Sequence, residues 1–132
     1  MAELTAFARE QMPFTSLLGL EVDSAGPDEV TARGRWAPEH CTAGGVLHGG
    51  YLMGLADSTG AMCAFFNLPE GASTSTIESK TNFFRAVRSG EVTFRSIPVH
   101  VGRSVIVVQT DASDDQGKLV SRTIQTQAVL IG

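Results

Sequence analysis

The spacing of hydrophobic and polar residues changes once along the chain, near residue 70. Before this point, the stretch from about Gly49 to Phe66 is almost entirely apolar and long enough for a helix, and it is followed by NLPEG, whose Asn, Pro and Gly end helices. After it, runs rich in Val, Ile, Thr and Phe are separated by the turn signals RSG, VGR and DDQGK. These runs predict four strands, at Thr74–Phe84, Glu91–Val101, Ser104–Ser113 and Lys118–Ile131.

The segment before the long helix predicts a short helix and a hairpin. The helix covers the first dozen residues and ends before Pro13, and strands at Leu17–Ser24 and Val30–Trp36 are joined by the turn AGPDE. The four later strands must be largely antiparallel, because the joints between them are short. This order predicts an α+β fold in which about six antiparallel strands curl around one central helix. No linker or repeat interrupts the pattern, so we expect residues 1–132 to form a single domain.

Composition and charge narrow the functional classes. The chain is 42% hydrophobic and 18% charged, and its net charge of −4 argues against a nucleic-acid partner bound through bulk charge. The start MAELTAFAREQM lacks the apolar core of a secretion signal, and the two cysteines have no metal-type or redox-type spacing. The stretch Gly49–Pro69 approaches the length of a membrane span, but its four glycines and Asp57 favour a buried core helix. We therefore expect a cytoplasmic protein with reduced cysteines and no membrane partner.

A single carboxylate, that of Asp57, lies in the middle of the predicted helix. Its neighbours at helical spacing are small or apolar, with no lysine or arginine among them: Gly50, Met53, Gly54, Gly60, Ala61 and Ala64. A stripe of small residues lets a ligand or another backbone come close, and a carboxylate there needs hydrogen-bond donors. Such carboxylates are common among catalytic acids and bases. The alternative is that Asp57 points to water on an exposed edge.

The motif His48-Gly49-Gly50 opens the helix. Free N–H groups at a helix start, together with the positive end of its dipole, suit an anion or a developing oxyanion. The alternative is a plain joint in which His48 packs or caps the helix. Gly49 and Asp57 are eight residues apart, or about 12 Å along one helix, so they cannot touch the same substrate carbon from one chain. If both are catalytic, the protein is at least a dimer with its active sites in the interface.

Three segments of the chain, GVLHGGYLMGLADSTG, KTNFFRAVRSGEV and PVHVGRSV, resemble the hot-dog acyl-CoA thioesterases. The resemblance is to the 4-hydroxybenzoyl-CoA type with a helix-borne acid and to the phenylacetate-pathway type, and it covers nearly all of the chain after residue 15. It implies a long helix wrapped by a curved antiparallel sheet, and a homodimer that often doubles to a homotetramer. It also implies hydrolysis of an acyl-CoA thioester without metal or cofactor, coenzyme A being part of the substrate.

The resemblance also implies roles for individual residues. Asp57 matches the catalytic carboxylate, which acts as a general base on water or attacks the thioester directly. Gly49 matches the residue whose backbone N–H holds the thioester oxygen, and His48 matches the neighbouring histidine that shapes the loop or orients a partner. Thr76 falls where some members place a serine that holds the attacking water. Thr42 stands where many members have Asn or Gln, and its side chain reaches less far.

The segment between Lys80 and Arg103 carries five basic residues against one acid. Arginine suits the phosphates of coenzyme A because its guanidinium donates in a fork, although for any single arginine a solvated surface position is the alternative. The residues predicted to bind substrate or coenzyme A are Gly50, Phe84, Arg85, Arg88, Gly102, Arg103 and Ser104, with Gly102 and Ser104 supplying backbone or hydroxyl donors. Phe83 and Phe84 point to opposite faces of a strand, so we expect one in the core and the other in an acyl pocket or interface.

Other functions remain open at this point. A hot-dog dehydratase or hydratase needs a histidine and a carboxylate that converge on one carbon, and His48 and Asp57 are badly spaced for that within one chain. A non-catalytic acyl-CoA-binding protein has no need for a lone carboxylate facing its ligand, and a purely structural subunit predicts that Asp57→Asn is silent. Among acyl groups, aryl, arylacetyl and medium-chain groups are all compatible with the sequence.

Overall fold

Residues 2–132 are described by the computed structural model, and they form the predicted α+β fold. The helices are α1 (Ala2–Gln11), α2 (Pro13–Leu18) and α3 (Gly49–Phe65), with single 3-10 turns at Pro38–His40 and Ala43–Gly45. The strands are β1 (Glu21–Ala25), β2 (Val30–Arg35), β3 (Ser73–Phe83), β4 (Glu91–Val101), β5 (Val105–Ser113) and β6 (Leu119–Leu130). The prediction of one long helix and six strands is therefore confirmed.

The six strands form one antiparallel sheet in the order β1-β2-β4-β5-β6-β3. The sheet curves around α3, which contacts every strand from β2 to β6. Buried Leu55 of α3 packs in the same core as Phe94 and Ile106 of the sheet, and all three side chains are fully inaccessible. None of the helices within residues 2–132 is long and apolar enough to span a bilayer.

The sheet has two edges, β1 and β3. Strand β3 is the longer, with 11 residues, and within the described part of the chain it pairs only with β6. Most of its residues are exposed, including the apolar Ile77 and Phe83. A long edge strand with apolar side chains is typical of a surface that pairs with another strand.

The predicted strand at Leu17–Ser24 is wrong in its first half, because residues 13–18 form helix α2. Pro13 stands in the first turn of this helix, where its fixed φ is compatible with helical geometry. Gly19 then ends the helix with φ 72°, and the N–H of Leu20 donates to the carbonyl of Thr15 at 3.0 Å. Strand β1 begins only after this cap. The predicted end of the first helix before Pro13 is confirmed.

Strand β2 comes unusually close to α3. A Cβ atom at Gly34 would overlap Leu55 Cδ1 and the hydroxyl of Tyr51, so a glycine at this position allows the close approach. The Tyr51 hydroxyl donates across this contact to the carbonyl of Arg35 at 3.3 Å. The contact holds the N-terminal half of α3 against the sheet.

Candidate active site

The carboxylate of Asp57 is half-buried and held by two donors from neighbouring strands. Its Oδ1 accepts hydrogen bonds from Thr76 Oγ1 of β3 at 2.9 Å and from Gln125 Nε2 of β6 at 3.2 Å. Among the described residues no donor binds Oδ2, so this oxygen is the one available for chemistry. The carboxylate is therefore fixed from the sheet side of α3, and Thr76 itself lies exposed at the open edge of β3.

The N-terminus of α3 is capped by His48. Its Nδ1 accepts the N–H of Gly50 at 2.7 Å, so Nδ1 carries no proton and Nε2 is the ring's N–H donor. The Gly50 N–H is thereby occupied and is not a free donor, whereas the predicted contact of Gly50 with the ligand stays a prediction. The N–H of Gly49 has no acceptor within the described residues. Of the two glycines, Gly49 is the one whose N–H can bind an oxyanion.

Phe83, at the end of β3, lies over the first residue of α3. A Cβ atom at Gly49 would sit 3.1 Å from Phe83 Cζ. The expectation that Phe83 or Phe84 lies in the core is wrong, because the side chains are 48% and 58% exposed. The cause is the position of β3 at the sheet edge, with Phe84 just beyond its last residue. Both rings are thus available to a ligand or a second subunit.

Gly49 and Asp57 lie on one uninterrupted helix, and the structure does not bring them together. Eight helical residues separate them, which corresponds to about 12 Å. Thr42 lies in the exposed loop before α3, where its N–H donates to the carbonyl of Val46 at 2.8 Å. In the part of the chain that the structure describes, its side chain forms no hydrogen bond to Asp57. Within a single chain, Gly49, Asp57 and Thr42 therefore do not converge on one point.

A cavity of about 410 Å³ adjoins the Asp57 hydrogen bonds. It lies between α1, the second half of α3 and the start of β3, and it reaches Thr76 and Gln127. Its apolar wall consists of Phe7, Ala8, Met12, Ala61, Met62, Phe65 and Ala72, and its polar wall of Gln11, Ser73, Thr74, Ser75, Thr76 and Gln127. A cavity with an apolar wall and polar groups on one side is typical of a small-molecule site. The contribution of α1 has no signal in the sequence pattern.

The arginines predicted to bind coenzyme A do not form one cluster within a chain. Arg85 and Arg88 lie in the loop before β4, whereas Arg103 lies in the turn after it, at the other end of a strand of 11 residues, about 33 Å long. Arg88 Nη1 donates to the carbonyl of Gly44 at 3.4 Å, in the loop that leads into α3. Arg85 lies near Asp114, whose pKa is lowered mainly by the backbone N–H of Lys118 and in part by this guanidinium.

The turn after β4 differs from its prediction in one respect. The N–H of Gly102 donates to the carbonyl of Val105 at 2.9 Å, so the predicted role of Gly102 as a free backbone donor is wrong. The neighbouring Ser104 is exposed, and its hydroxyl has no hydrogen-bond partner within residues 2–132. The donors left at this turn are the Ser104 hydroxyl and the guanidinium of Arg103.

The other reactive side chains of the core are kept protonated. Burial raises the pKa of the Cys63 thiol to about 11 and that of the Tyr51 hydroxyl to about 12. The interpretation of Cys63 as a buried, free thiol is confirmed. Within the described residues, no three His, Cys, Asp or Glu side chains come together as a metal site requires.

Two glutamines in this site escaped the sequence reasoning. Gln125 and Gln127 lie on the face of β6 that points to α3, and both are buried. The sequence signal was available: LVSRTIQTQAVL places two glutamines at a spacing of two within a strand, so that they share one face. What the pattern could not reveal is that this face is the inner one.

The chain is similar to known proteins over most of its length. The family model described as the thioesterase superfamily matches residues 44–121. A Haemophilus influenzae protein named as an esterase is 34% identical over 117 residues, which cover 87% of this chain and 83% of that protein. A Pseudomonas aeruginosa thioesterase, solved as a mutant, is 27% identical with a TM-score of 0.89, over 97% of this chain and 92% of the other. The phenylacetic acid degradation protein PaaI of Thermus thermophilus, also solved as a mutant, is 28% identical with a TM-score of 0.82, over 89% and 99%.

Proposed function

Because the chain belongs to the thioesterase superfamily and is a thioester hydrolase, we propose that its substrate is an aromatic or medium-chain acyl-CoA, cleaved to the free acid and coenzyme A. The observation that carries this proposal is the Asp57 carboxylate, held by two donors on Oδ1 with Oδ2 left for chemistry, beside an apolar cavity of about 410 Å³. A cavity of this volume suits an acyl group of modest size. Residues 1–132 act as one domain in this proposal.

Asp57 starts the reaction through Oδ2 in one of two ways. As a general base, it takes a proton from water while the water oxygen bonds to the thioester carbonyl carbon. As a nucleophile, it bonds to that carbon itself and forms an anhydride, which water then hydrolyses. In both routes the C–S bond breaks and coenzyme A leaves as a thiolate. The water supplies its hydroxyl group to the acyl carbon, and its remaining proton ends on the coenzyme A sulfur. In this proposal the hydroxyl oxygen of Thr76 contacts the attacking water, which its hydrogen bond to Asp57 at 2.9 Å supports.

The oxyanion that forms on the thioester carbonyl binds the N–H of Gly49 of the partner subunit. The N-terminal position of this N–H on α3 adds the positive end of the helix dipole, which stabilises developing negative charge. His48 fixes the start of the helix, because its Nδ1 accepts the N–H of Gly50. No metal or cofactor takes part in the proposed reaction.

The dimer forms by antiparallel pairing of β3 with the same strand of a second copy. With the twofold axis at Glu78, the middle residue of β3, Phe83 of the partner subunit lies opposite Ser73. Ser73 is three residues from Thr76, and the ring of Phe83 covers Gly49 within its own chain. The pairing therefore brings Gly49 of the partner subunit near Thr76, the residue of β3 that donates to Asp57. The exposed Ile77 and Phe83 support this interface.

Coenzyme A is bound across the same interface. Its phosphates accept hydrogen bonds from Arg85 and Arg88 of one subunit and from Arg103 and Ser104 of the other. Two subunits are needed because these two groups lie at opposite ends of β4 within one chain. Phe84 offers an exposed ring next to the first two arginines. Each arginine contributes as a forked donor, so lysine is a poor replacement at these positions.

Two dimers associate into a homotetramer in this proposal. The face of the sheet that points away from α3 carries the apolar Ile124 and Leu130, which are 37% and 47% exposed. An apolar sheet face open to water supports association with another sheet. The enzyme acts in the cytoplasm, which suits its free cysteines Cys41 and Cys63.

The experiment that tests this function is thiol release from a panel of aromatic and aliphatic acyl-CoAs by wild type and Asp57→Asn. Asparagine keeps an oxygen that can accept the bonds from Thr76 and Gln125, but it removes the base and the nucleophile. We expect kcat/KM to fall about 10²-fold or more while the unfolding midpoint is retained. Asp28→Asn, in the exposed turn between β1 and β2, is the matched carboxylate control. Equal rates for wild type and Asp57→Asn would contradict the role of Asp57, and absence of turnover across the panel would contradict the substrate class.

A further inference from the structure

The inner face of β6 is polar where a core strand is normally apolar. Gln125 is fully buried and Gln127 is 1% exposed, and both point to the apolar helix α3. Burying a primary amide lowers stability unless each of its polar atoms finds a partner. Two buried amides side by side therefore need a reason, and their contacts lead to Asp57.

The direction of the hydrogen bonds is set by a backbone carbonyl. The hydroxyl of Thr74 donates to the carbonyl of Ala128 at 2.8 Å, so its oxygen accepts from Gln127 Nε2 at 3.0 Å. This leaves Gln127 Oε1 to accept from Gln125 Nε2 at 3.0 Å. The same Gln125 Nε2 lies 3.2 Å from Asp57 Oδ1 and 3.3 Å from the Asp57 carbonyl. The opposite orientation of the Gln125 amide would place its oxygen against three acceptors.

This orientation leaves one oxygen unsatisfied. Gln125 Oε1 is the buried side-chain polar atom without a hydrogen-bond partner among residues 2–132. It lies directly against Gly60 of α3, where a Cβ atom would overlap it. An unsatisfied buried oxygen lowers stability, and a local rule broken in this way is typical of a functional site. The benefit gained here is an N–H donor aimed at Asp57.

Thr76 alone cannot hold Asp57 in place. Its hydroxyl has a single hydrogen and lies within hydrogen-bond distance of two acceptors, Asp57 Oδ1 and Gln127 Oε1. When it donates to Gln127, the bond to the carboxylate is lost. Gln125 has two amide hydrogens and a fixed orientation. One hydrogen donates to Gln127 Oε1, and the other lies between Asp57 Oδ1 and the Asp57 carbonyl, so the amide keeps a donor directed at Asp57 when Thr76 turns to Gln127.

We propose that Gln125, oriented by Gln127, is a positioning residue that holds Asp57 Oδ1 so that Oδ2 faces the thioester. The inference rests on the proposed function, because it assigns to Gln125 the geometry of the carboxylate that starts the reaction. It serves the base and the nucleophile route equally, since both use Oδ2. Gln125 does not line the apolar cavity, so it acts on the rate of the chemical step and not on acyl binding.

The test compares Gln125→Met with wild type in turnover and thermal unfolding. Methionine keeps the length of the side chain but removes both the donor and the unsatisfied oxygen. We expect kcat to fall about tenfold or more with KM within about twofold, since the loss of positioning affects the chemical step. The unfolding midpoint is expected to stay equal or rise. A merely structural glutamine would give the reverse, a lower midpoint with kcat unchanged.

Thr123→Val is the matched control for this variant. Thr123 is buried on the same face of β6, two residues from Gln125, and its Oγ1 lies 2.7 Å from that of Thr81. The substitution also removes a buried polar group but leaves Asp57 untouched, so kcat is expected to match wild type. An unchanged kcat in Gln125→Met, or an equal loss in both variants, would overturn the inference.

Gly60→Ala tests the same contact from the helix side, and it remains usable if Gln125→Met does not fold. The added methyl group takes the space of Gln125 Oε1 and displaces the amide, so we expect a similar loss of kcat.

The contact between Gln125 and Asp57 is also measured without turnover, by urea unfolding of Gln125→Met, Asp57→Ala and the double variant. Non-additive midpoints are expected, and additive ones would overturn the contact. If the proposed function is wrong but the contact exists, wild type will not hydrolyse the acyl-CoAs, while the unfolding midpoints of the variants will still be non-additive.

Discussion

At the scale of single residues, the hydrogen bonds at the start of α3 decide which of its N–H groups is left free. His48 uses its Nδ1 to accept the N–H of Gly50, and the preceding N–H of Gly49 stays available. The histidine caps the helix as an unprotonated acceptor, a task that Asn, Asp, Ser or Thr performs in most helices. The cap therefore stabilises the helix, and in the proposed reaction it leaves the Gly49 N–H as the donor for the thioester oxygen.

Replacement of His48 tests the stabilising effect of this cap. His48→Ala removes the acceptor for the Gly50 N–H, and we expect the free energy of unfolding to fall by about 1 kcal/mol. His48→Asn supplies a side-chain oxygen that can accept the same N–H, and we expect most of this loss to be recovered. Urea unfolding at one fixed protein concentration measures both variants. Alanine and asparagine variants of equal stability would contradict the cap.

At the scale of elements, the sequence allowed us to predict those candidate site residues that interrupt the regular pattern of their helix. Asp57 and Gly49 stood out because a charge interrupts an apolar helix and glycines open it, and α3 itself ends within one residue of its prediction. Helix α2 was missed because a short apolar run such as FTSLL is compatible with a strand as well as a helix. Gln125 could not be assigned, because in β6 the apolar Ile124 faces outward and polar side chains face the helix, against the usual pattern.

The close approach of β2 to α3 predicts a steep dependence on side-chain size. Gly34→Ala would place a methyl group into Leu55 and the Tyr51 hydroxyl, and overpacking of this kind lowers the free energy of unfolding by about 1–3 kcal/mol. Gly26→Ala is the control, because nothing lies within 4 Å of its added Cβ atom, and we expect a change below about 0.5 kcal/mol. Thermal unfolding of the two variants checks this, and equal midpoints would contradict the packing.

At the scale of the whole molecule, one helix carries two groups that the proposed reaction needs and that cannot meet within one chain. Its first residue offers an N–H donor, and Asp57, eight residues later, offers a carboxylate. The twofold axis that we propose at the edge strand β3 would resolve this, since it would bring the donor of each subunit to the carboxylate of the other. The central claim is therefore that every active site is shared between two subunits.

Mixing two inactive variants tests that claim most directly. Gly49→Pro removes the N–H at the first position of α3, where proline is compatible with the helix, and Gly49→Ala controls for crowding against Phe83. Asp57→Asn removes the carboxylate. When Gly49→Pro and Asp57→Asn subunits are unfolded together and refolded at equal amounts, half of the dimers are mixed and each has one intact site, so we predict about a quarter of the wild-type acyl-CoA hydrolysis. Recovery to this level would establish the shared site, whereas a mixture as inactive as its two components would contradict it.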